Sequence, residues 1–86
     1  MSEIKVHPRV MRRHGELSED DVLHAVKSIV SYRQRRNGHY AGVGLDGNGR
    51  LVEMVYIYDA EEDVFFVFHA MTPPTVKLLA ELKMTR

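Results

Sequence analysis

The fold is decided by two apolar strands joined by an acidic turn, LVEMVYIYDAEEDVFFVFH at positions 51–69. In residues 51–58, apolar side chains occupy both alternating faces, which is typical of a strand in the middle of a sheet. Residues 59–63 are acidic and predict a tight turn, and residues 64–69 read as the last strand. This stretch therefore predicts an antiparallel pair that includes a central strand.

The segments before this pair extend the sheet. DGNG at positions 46–49 predicts a hairpin turn, because Gly and Asn supply the positive φ angles that tight turns need. Residues 32–45 predict a long, bent strand with a turn or bulge at the NG of positions 37–38. Residues 4–6 are compatible with a short strand or an extended arm.

Helical patterns flank the strands. Ser18 and Asp21 form an S-x-x-D capping-box pattern, and the apolar residues that follow recur at helical spacing, so a helix is predicted over residues 19–31. Thr72 followed by Pro73 predicts the start of a C-terminal helix. The sequence therefore predicts an α+β fold: a small antiparallel sheet of three or four strands, with an N-terminal and a C-terminal helix packed on it.

Length and composition limit the class of protein. The chain has 86 residues, 44% hydrophobic and 28% charged, which predicts a single globular domain over residues 1–86. A core this small leaves little room for a deep cofactor cavity, so no cofactor is expected. The absence of cysteine excludes disulfides, and the spacing of the five histidines does not favour a metal site. With no signal peptide and no apolar run of membrane length, we expect a soluble cytoplasmic protein.

Basic side chains gather after the first predicted helix. Strand alternation puts Arg33 and Arg35 on one face and Arg36 on the other. Because arginine suits bidentate contacts with phosphate, one interpretation is a patch that binds RNA phosphates. The alternative is a charged sheet edge that discourages aggregation.

His69 ends the last apolar strand and precedes the turn into the last helix. A strand end beside an open sheet face suits a general acid or base, and histidine titrates in the range that this chemistry needs. The alternative is a histidine that hydrogen-bonds a loop and holds the turn. Glu53 interrupts an apolar strand face, so it either pairs with a basic neighbour or belongs to a site.

Aromatic side chains follow the turn at positions 37–38 and occupy the later strands. His39 and Tyr40 come directly after that turn. Tyr40, Tyr56 and Tyr58 can each stack on a base or fill the core, and the core is favoured. The phenylalanines at positions 65–68 are expected in the core or in a partner interface.

The order of elements resembles the RelE-like group of small bacterial ribonuclease toxins, most closely the BrnT-like branch. The similarity is carried by short segments: HG at 14–15, SEDDV at 18–22, RNGHYAGVGL at 36–45, VY at 55–56 and VFHAM at 67–71. The resemblance implies a RelE/BrnT-like fold and metal-independent cleavage of RNA, as mRNA or in association with ribosomes. It also implies a small antitoxin that holds the protein inactive, often a ribbon-helix-helix protein that binds operator DNA.

The same resemblance implies a mechanism in which the RNA 2′-OH attacks the adjacent phosphate while basic side chains stabilise the developing charge. In the BrnT-like branch the last strand usually ends in an Arg-x-x-Ser-Ala-Arg run. Here Phe66 and Met71 replace the arginines, and His69 stands at the serine position. In the candidate catalytic set, His69 is the general acid or base. Arg33 and Arg35 are the phosphate ligands, supported by Lys77. His39 and Tyr40 are second-rank candidates for the base or for stacking on an RNA base.

A non-catalytic protein-binding module is the alternative function. The 12 basic and 12 acidic residues give a net charge of zero, whereas proteins that must find RNA are usually more basic. Strands that are apolar on both faces favour an exposed sheet face that pairs with another protein.

Overall fold

A five-stranded sheet organises the part of the chain that the computed structural model describes, residues 2–13 and 16–84. The elements in chain order are β1 (Glu3–Val6), α1 (Pro8–Arg13), α2 (Glu19–Lys27), β2 (Ile29–Gln34), β3 (Tyr40–Leu45), β4 (Leu51–Asp59), β5 (Val64–Met71) and α3 (Val76–Glu81). The strand order is β1-β5-β4-β3-β2, with β1 parallel to β5 and all other pairs antiparallel. The HG segment at 14–15 and the side chain of Arg13 lie outside the described residues.

The α+β class is confirmed, but the sheet has five strands instead of the three or four predicted. Residues 32–45 form two strands, because the NG segment closes a hairpin. Gly38 has a φ of 88°, and the Asn37 side chain accepts from the N–H of His39 at 2.9 Å. The fifth strand is β1, which pairs with β5 at the edge of the sheet.

The predicted helices are present with shifted bounds. The Ser18–Asp21 capping box is confirmed, with both reciprocal hydrogen bonds formed at 2.9 and 3.1 Å. However, α2 ends at Lys27 and not at residue 31, because the chain enters the sheet at Ile29. Ser28 caps the helix, and its carbonyl accepts from the N–H of the last β3 residue.

The C-terminal helix begins three residues later than Thr72–Pro73 suggested. The N-cap of α3 is Thr75, whose hydroxyl accepts from the N–H of Leu78 at 3.1 Å. The hydroxyl of Thr72 instead donates to the carbonyl of Leu51 at 2.7 Å, so this threonine ties the β5–α3 connection to β4. A further short helix, α1, was not predicted.

The α2 face of the sheet, which carries Val52, Met54 and Tyr56 of β4, holds the larger core. Here the backbone of α2 lies directly on β3. A Cβ at Gly44 would overlap the carbonyl oxygen of Ala25, so only glycine allows this approach. Ala25 is fully buried as a result, and the short helix is held close to the sheet.

The opposite face, called the α3 face, is only partly covered. A small core forms where Leu78 of α3 meets Ala41 and Val43 of β3. Beyond α3, Ile57 and Phe66 remain 40% exposed. Within the described ranges, no helix is long and apolar enough to cross a membrane.

Candidate active site

A β-bulge turns His69 towards the α3 face. Val55 of β4 lies opposite His69. The next residue, Tyr56, lies opposite Val67, which leaves Phe68 as the extra residue of β5. Simple alternation from Val67, which is buried in the α2-face core, would have placed His69 on that face. Bulges re-aim the side chains that follow them, and this one brings His69 to the partly open side of the sheet.

Glu53 is the centre of a hydrogen-bond network that joins β4, β5 and α3. Its Oε2 lies 2.7 Å from Nε2 of His69, and its Oε1 accepts from the backbone N–H and the hydroxyl of Thr75, at 2.9 and 2.8 Å. The side chain of Glu53 is 9% exposed and that of His69 is 31% exposed. The network therefore has a buried carboxylate at one end and a solvent-facing imidazole at the other.

The network keeps Glu53 ionised. Burial raises the pKa of this carboxyl and is the largest single influence, but hydrogen bonds from the Thr75 N–H, His69 and the Thr75 hydroxyl outweigh it. The pKa is therefore lowered from its ordinary value of 4.5. An ionised carboxylate beside Nε2 favours a ring that donates its Nε2 proton, as the neutral tautomer or as the imidazolium. Glu53 thus pairs with a basic neighbour, as one reading of the sequence required.

The three predicted phosphate ligands all act on Glu81 of α3, one by direct contact and two through their charges. Arg35 donates to both carboxylate oxygens, at 3.1 and 2.9 Å. This hydrogen bonding lowers the pKa of Glu81 against the effect of burial, and the charges of Arg35, Arg33 and Lys77 lower it further. The hydrogen bond to Glu81 raises the pKa of Arg35, and the charge of Glu53 adds to the rise, so this ion pair adjoins the Glu53 network.

The three cations differ in availability. The guanidinium fork of Arg35 is occupied by Glu81, so it ties the connection after β2 to α3. Arg33 lies opposite Ala41 on the α3 face, the side on which Arg35 meets Glu81, and it is exposed. Arg36, predicted on the other face of the strand, lies in the turn after β2. Lys77, in the first turn of α3, is also exposed. Arg33 and Lys77 leave an excess of positive charge around the Arg35–Glu81 pair.

His39 and Tyr40 lie on opposite faces. The ring of His39 meets the edge of Phe68, with centroids 4.9 Å apart, and alternation puts both on the α3 face. Tyr40 stacks on Tyr56 at 5.4 Å on the other face, where it packs against the core. The expectation that Tyr40 packs on the core is confirmed, and the sheet separates Tyr40 from His69.

Apolar side chains border the polar network. Ile57 of β4 lies opposite Phe66 of β5, and the ammonium of Lys5 on β1 lies 5.6 Å from the Phe66 ring centre. Val55, opposite His69, is partly buried. The α3 face therefore carries a hydrogen-bonded half next to α3 and an apolar half next to β1.

Thr75 and Glu81 were not singled out from the sequence. Thr72 and Thr75 are separated by two prolines, and threonine is an acceptable N-cap at either position. The Thr72–Pro73 pattern therefore drew the predicted helix start away from Thr75. Glu81 carried a usable signal, because an acidic side chain in the last turn of a helix opposes the helix dipole and indicates an external cation. Among the described residues, no group of three or more His, Asp or Glu side chains could hold a metal ion.

The resemblance to RelE-like and BrnT-like toxins rests on the short segments quoted above and stays a prediction. In comparisons with known proteins, no family model, no curated protein and no solved structure matches this chain.

Proposed function

We propose that this protein is a toxin-like, metal-independent endoribonuclease in which His69 transfers the proton on the α3 face. The observation that carries the proposal is the contact of 2.7 Å between the buried carboxyl of Glu53 and the partly exposed ring of His69. A carboxylate behind a histidine fixes the orientation and tautomer of the ring and stabilises the imidazolium that forms when the ring accepts a proton.

The reaction needs only groups that the chain and the RNA supply. His69 accepts the proton of a ribose 2′-OH, and the 2′-oxygen forms a bond to the adjacent phosphorus. The bond from phosphorus to the 5′-oxygen breaks, and this oxygen leaves with a proton from a general acid. The products are a 2′,3′-cyclic phosphate and a 5′-hydroxyl. In this mechanism the Nε2–H of His69 donates to the carboxylate of Glu53.

Arg33 and Lys77 are the cations that this mechanism assigns to the phosphate. Both are exposed; Arg33 lies opposite Ala41 on the α3 face, and Lys77 is in the first turn of α3. The Arg35–Glu81 pair is a positioning element, because its own charges compensate each other. Cations placed before the reaction stabilise the charge that develops on the phosphate without reorganisation.

His39 is the candidate for the general acid. It precedes β3 on the same face as His69, and β3 and β5 are separated by β4, roughly 10 Å apart at ordinary strand spacing. Its contact with Phe68 orients the ring across this gap. Tyr40, on the other face, has no part in this mechanism.

A non-catalytic protein-binding module is the second candidate. The observation that favours it is the exposed pair Ile57–Phe66, because apolar side chains of this size at adjacent register positions suit a protein interface. Under the leading proposal the same patch is where a small antitoxin covers the α3 face, next to His69.

The test is RNA cleavage by the purified protein in EDTA, with and without translating ribosomes. We expect cleavage that persists in EDTA and falls about 10²-fold or more in His69→Ala. The matched control is His7→Ala, which removes an exposed histidine at the β1–α1 junction, and added imidazole should restore part of the rate in His69→Ala only. Thermal unfolding of both variants checks the fold.

Two results would overturn this proposal. If folded wild-type protein cuts RNA under neither condition, the protein-binding function of the Ile57–Phe66 patch becomes the better account. If His69→Ala cuts at the wild-type rate, His69 is not the proton carrier and the Glu53 network only holds α3.

A further inference from the structure

All four tyrosines of the chain line one groove on the α2 face, outside the proposed catalytic centre. The groove has a volume of about 490 Å³, and its aromatic wall consists of Tyr32, Tyr40, Tyr56, Tyr58 and Phe65. It exists because α2 ends at Lys27 and does not cover this end of the sheet.

A glycine keeps the groove open. A Cβ at Gly42 of β3 would lie 3.1 Å from the carbonyl oxygen of Ser31, 3.2 Å from Cβ of Tyr32 and 3.5 Å from Cε1 of Tyr56, so it would fill the space between Tyr32 and Tyr56. The absence of that side chain leaves a slot between the edge strand β2 and the central strand β4.

The rings of Tyr32 and Tyr40 are the accessible part of this wall, because Tyr56 is only 3% exposed and is stacked by Tyr40. Tyr40 and Tyr56 are parallel to within 8°, with centroids 5.4 Å apart, whereas Tyr32 is tilted by 54° against Tyr40. Tyr32 is 62% exposed, although it is a large aromatic residue on an edge strand. Burial raises the pKa of Tyr56 to about 12, so its hydroxyl stays neutral inside the groove. Aromatic faces with neutral polar tips suit stacking on a heterocyclic base.

The charges around the groove are asymmetric. Residues 28–45, which include β2 and β3, contain three arginines and neither Asp nor Glu. The β4–β5 turn on the other side is acidic, and its Asp63 accepts the hydroxyl of Tyr58 at 2.8 Å. This asymmetry favours an anionic group of a ligand on the side of β2 and the turn that follows it, where Arg33 and Arg36 are exposed.

We propose that this aromatic groove binds a base of the same single-stranded RNA, with the neighbouring phosphates crossing the β2 edge. Tyr32 faces the groove and the next residue, Arg33, faces the proposed catalytic centre, because successive strand residues point to opposite faces. An RNA strand whose base stacks on Tyr32 therefore crosses the β2 edge and reaches Arg33. The choice of RNA as the ligand rests on the proposed function.

The experiment measures binding without cleavage. The probe is a short 2′-O-methyl RNA oligonucleotide, which lacks the attacking hydroxyl, and binding is followed by quenching of tyrosine fluorescence. The chain has no tryptophan, so its emission comes from the four groove tyrosines. We expect Tyr32→Ala to weaken binding about tenfold and Tyr32→Phe to retain it. The control is Phe66→Ala, which removes an exposed ring from the α3 face.

Small probes separate the base from the phosphate. After correction for absorption of the exciting light by adenine, adenosine monophosphate should quench the emission, and ribose 5-phosphate should not. Equal quenching by both, no binding of the oligonucleotide, or unchanged affinity in Tyr32→Ala would each overturn the inference. Tight binding that depends on Tyr32, from a protein that cuts no RNA, would instead overturn only the ribonuclease proposal.

Discussion

The two faces of the sheet hold their helices by different physical means. On the α2 face, the helix lies with its backbone against Gly44, and Val22, Ala25 and Val26 are buried in the larger core. On the α3 face, Leu78 is the one residue of α3 that is fully buried. There the helix is tied by the hydrogen bonds of Glu53 and by the Arg35–Glu81 ion pair.

Because of this difference, the α2 face mainly stabilises the fold, and the α3 face mainly orients polar side chains. Apolar packing is non-directional and nearly independent of pH, so the α2 face can hold the fold under varied conditions. Hydrogen bonds and ion pairs fix directions and distances, and they respond to protonation. The α3 face therefore has the groups that can orient His69. As a consequence, the attachment of α3 to the sheet depends more strongly on pH.

The largest effect is expected on the α2 face, from Gly44→Ala. The added methyl group would overlap the carbonyl of Ala25, and overpacking of this kind costs about 1–3 kcal/mol or more of the free energy of unfolding. Urea unfolding measures it. Gly47→Ala is the matched control, because Gly47 is exposed and a Cβ there would meet only a His24 atom at 3.9 Å. Equal stability of the two variants would show that α2 does not rest on β3 as described.

The next effect is expected on the α3 face, from loss of the Glu53 carboxylate. Glu53→Ala leaves the N–H of Thr75 without its acceptor and costs about 1–3 kcal/mol, whereas exposed Glu62→Ala should change little. The pKa of Glu53 is lowered on folding, so its contribution is complete above its ordinary value of 4.5 and is lost as the pH falls through the lower folded value.

The pH dependence of the unfolding free energy therefore distinguishes the two faces. The gap in unfolding free energy between wild type and Glu53→Gln should be largest at neutral pH and should shrink below about pH 4.5. The gap between wild type and Gly44→Ala should stay nearly constant over the same range. Urea midpoints at several pH values measure both, and a constant gap for Glu53→Gln would contradict the ionised network.

The smallest effect is expected from the Arg35–Glu81 ion pair. Its side chains are 39% and 21% exposed, so solvent screens the interaction. A double-mutant cycle with Arg35→Ala and Glu81→Ala should give a coupling of about 0.2–1 kcal/mol that weakens in concentrated salt. A coupling larger than the cost of Glu53→Ala would mean that the ion pair, and not the Glu53 network, holds α3.

The elements that could be predicted from the sequence have local causes. The Ser18–Asp21 capping box and the turn at positions 37–38 each depend on residues within three positions of one another. Glu53 was conspicuous because it interrupts an apolar strand, and its partner His69 was conspicuous as a strand end. Their pairing, however, depends on the register between β4 and β5.

What could not be predicted has non-local causes. One extra residue at Phe68 inverts the alternation of β5, so His69 lies on the face opposite to the one that its strand pattern implies. Glu81 is 46 positions from Arg35 along the chain, and no spacing rule connects them. The groove depends on where α2 stops, which the helical pattern placed four residues too late.

The parallel pairing of β1 with β5 has a consequence for the order of synthesis. Strand β1 is separated from its partner by three other strands: the hydrogen bond between Ser2 and Asp63 spans 61 positions. Because synthesis proceeds from β1 towards β5, the first strand cannot pair in the sheet until β5 has been made. This edge of the sheet is therefore a late, long-range contact in folding.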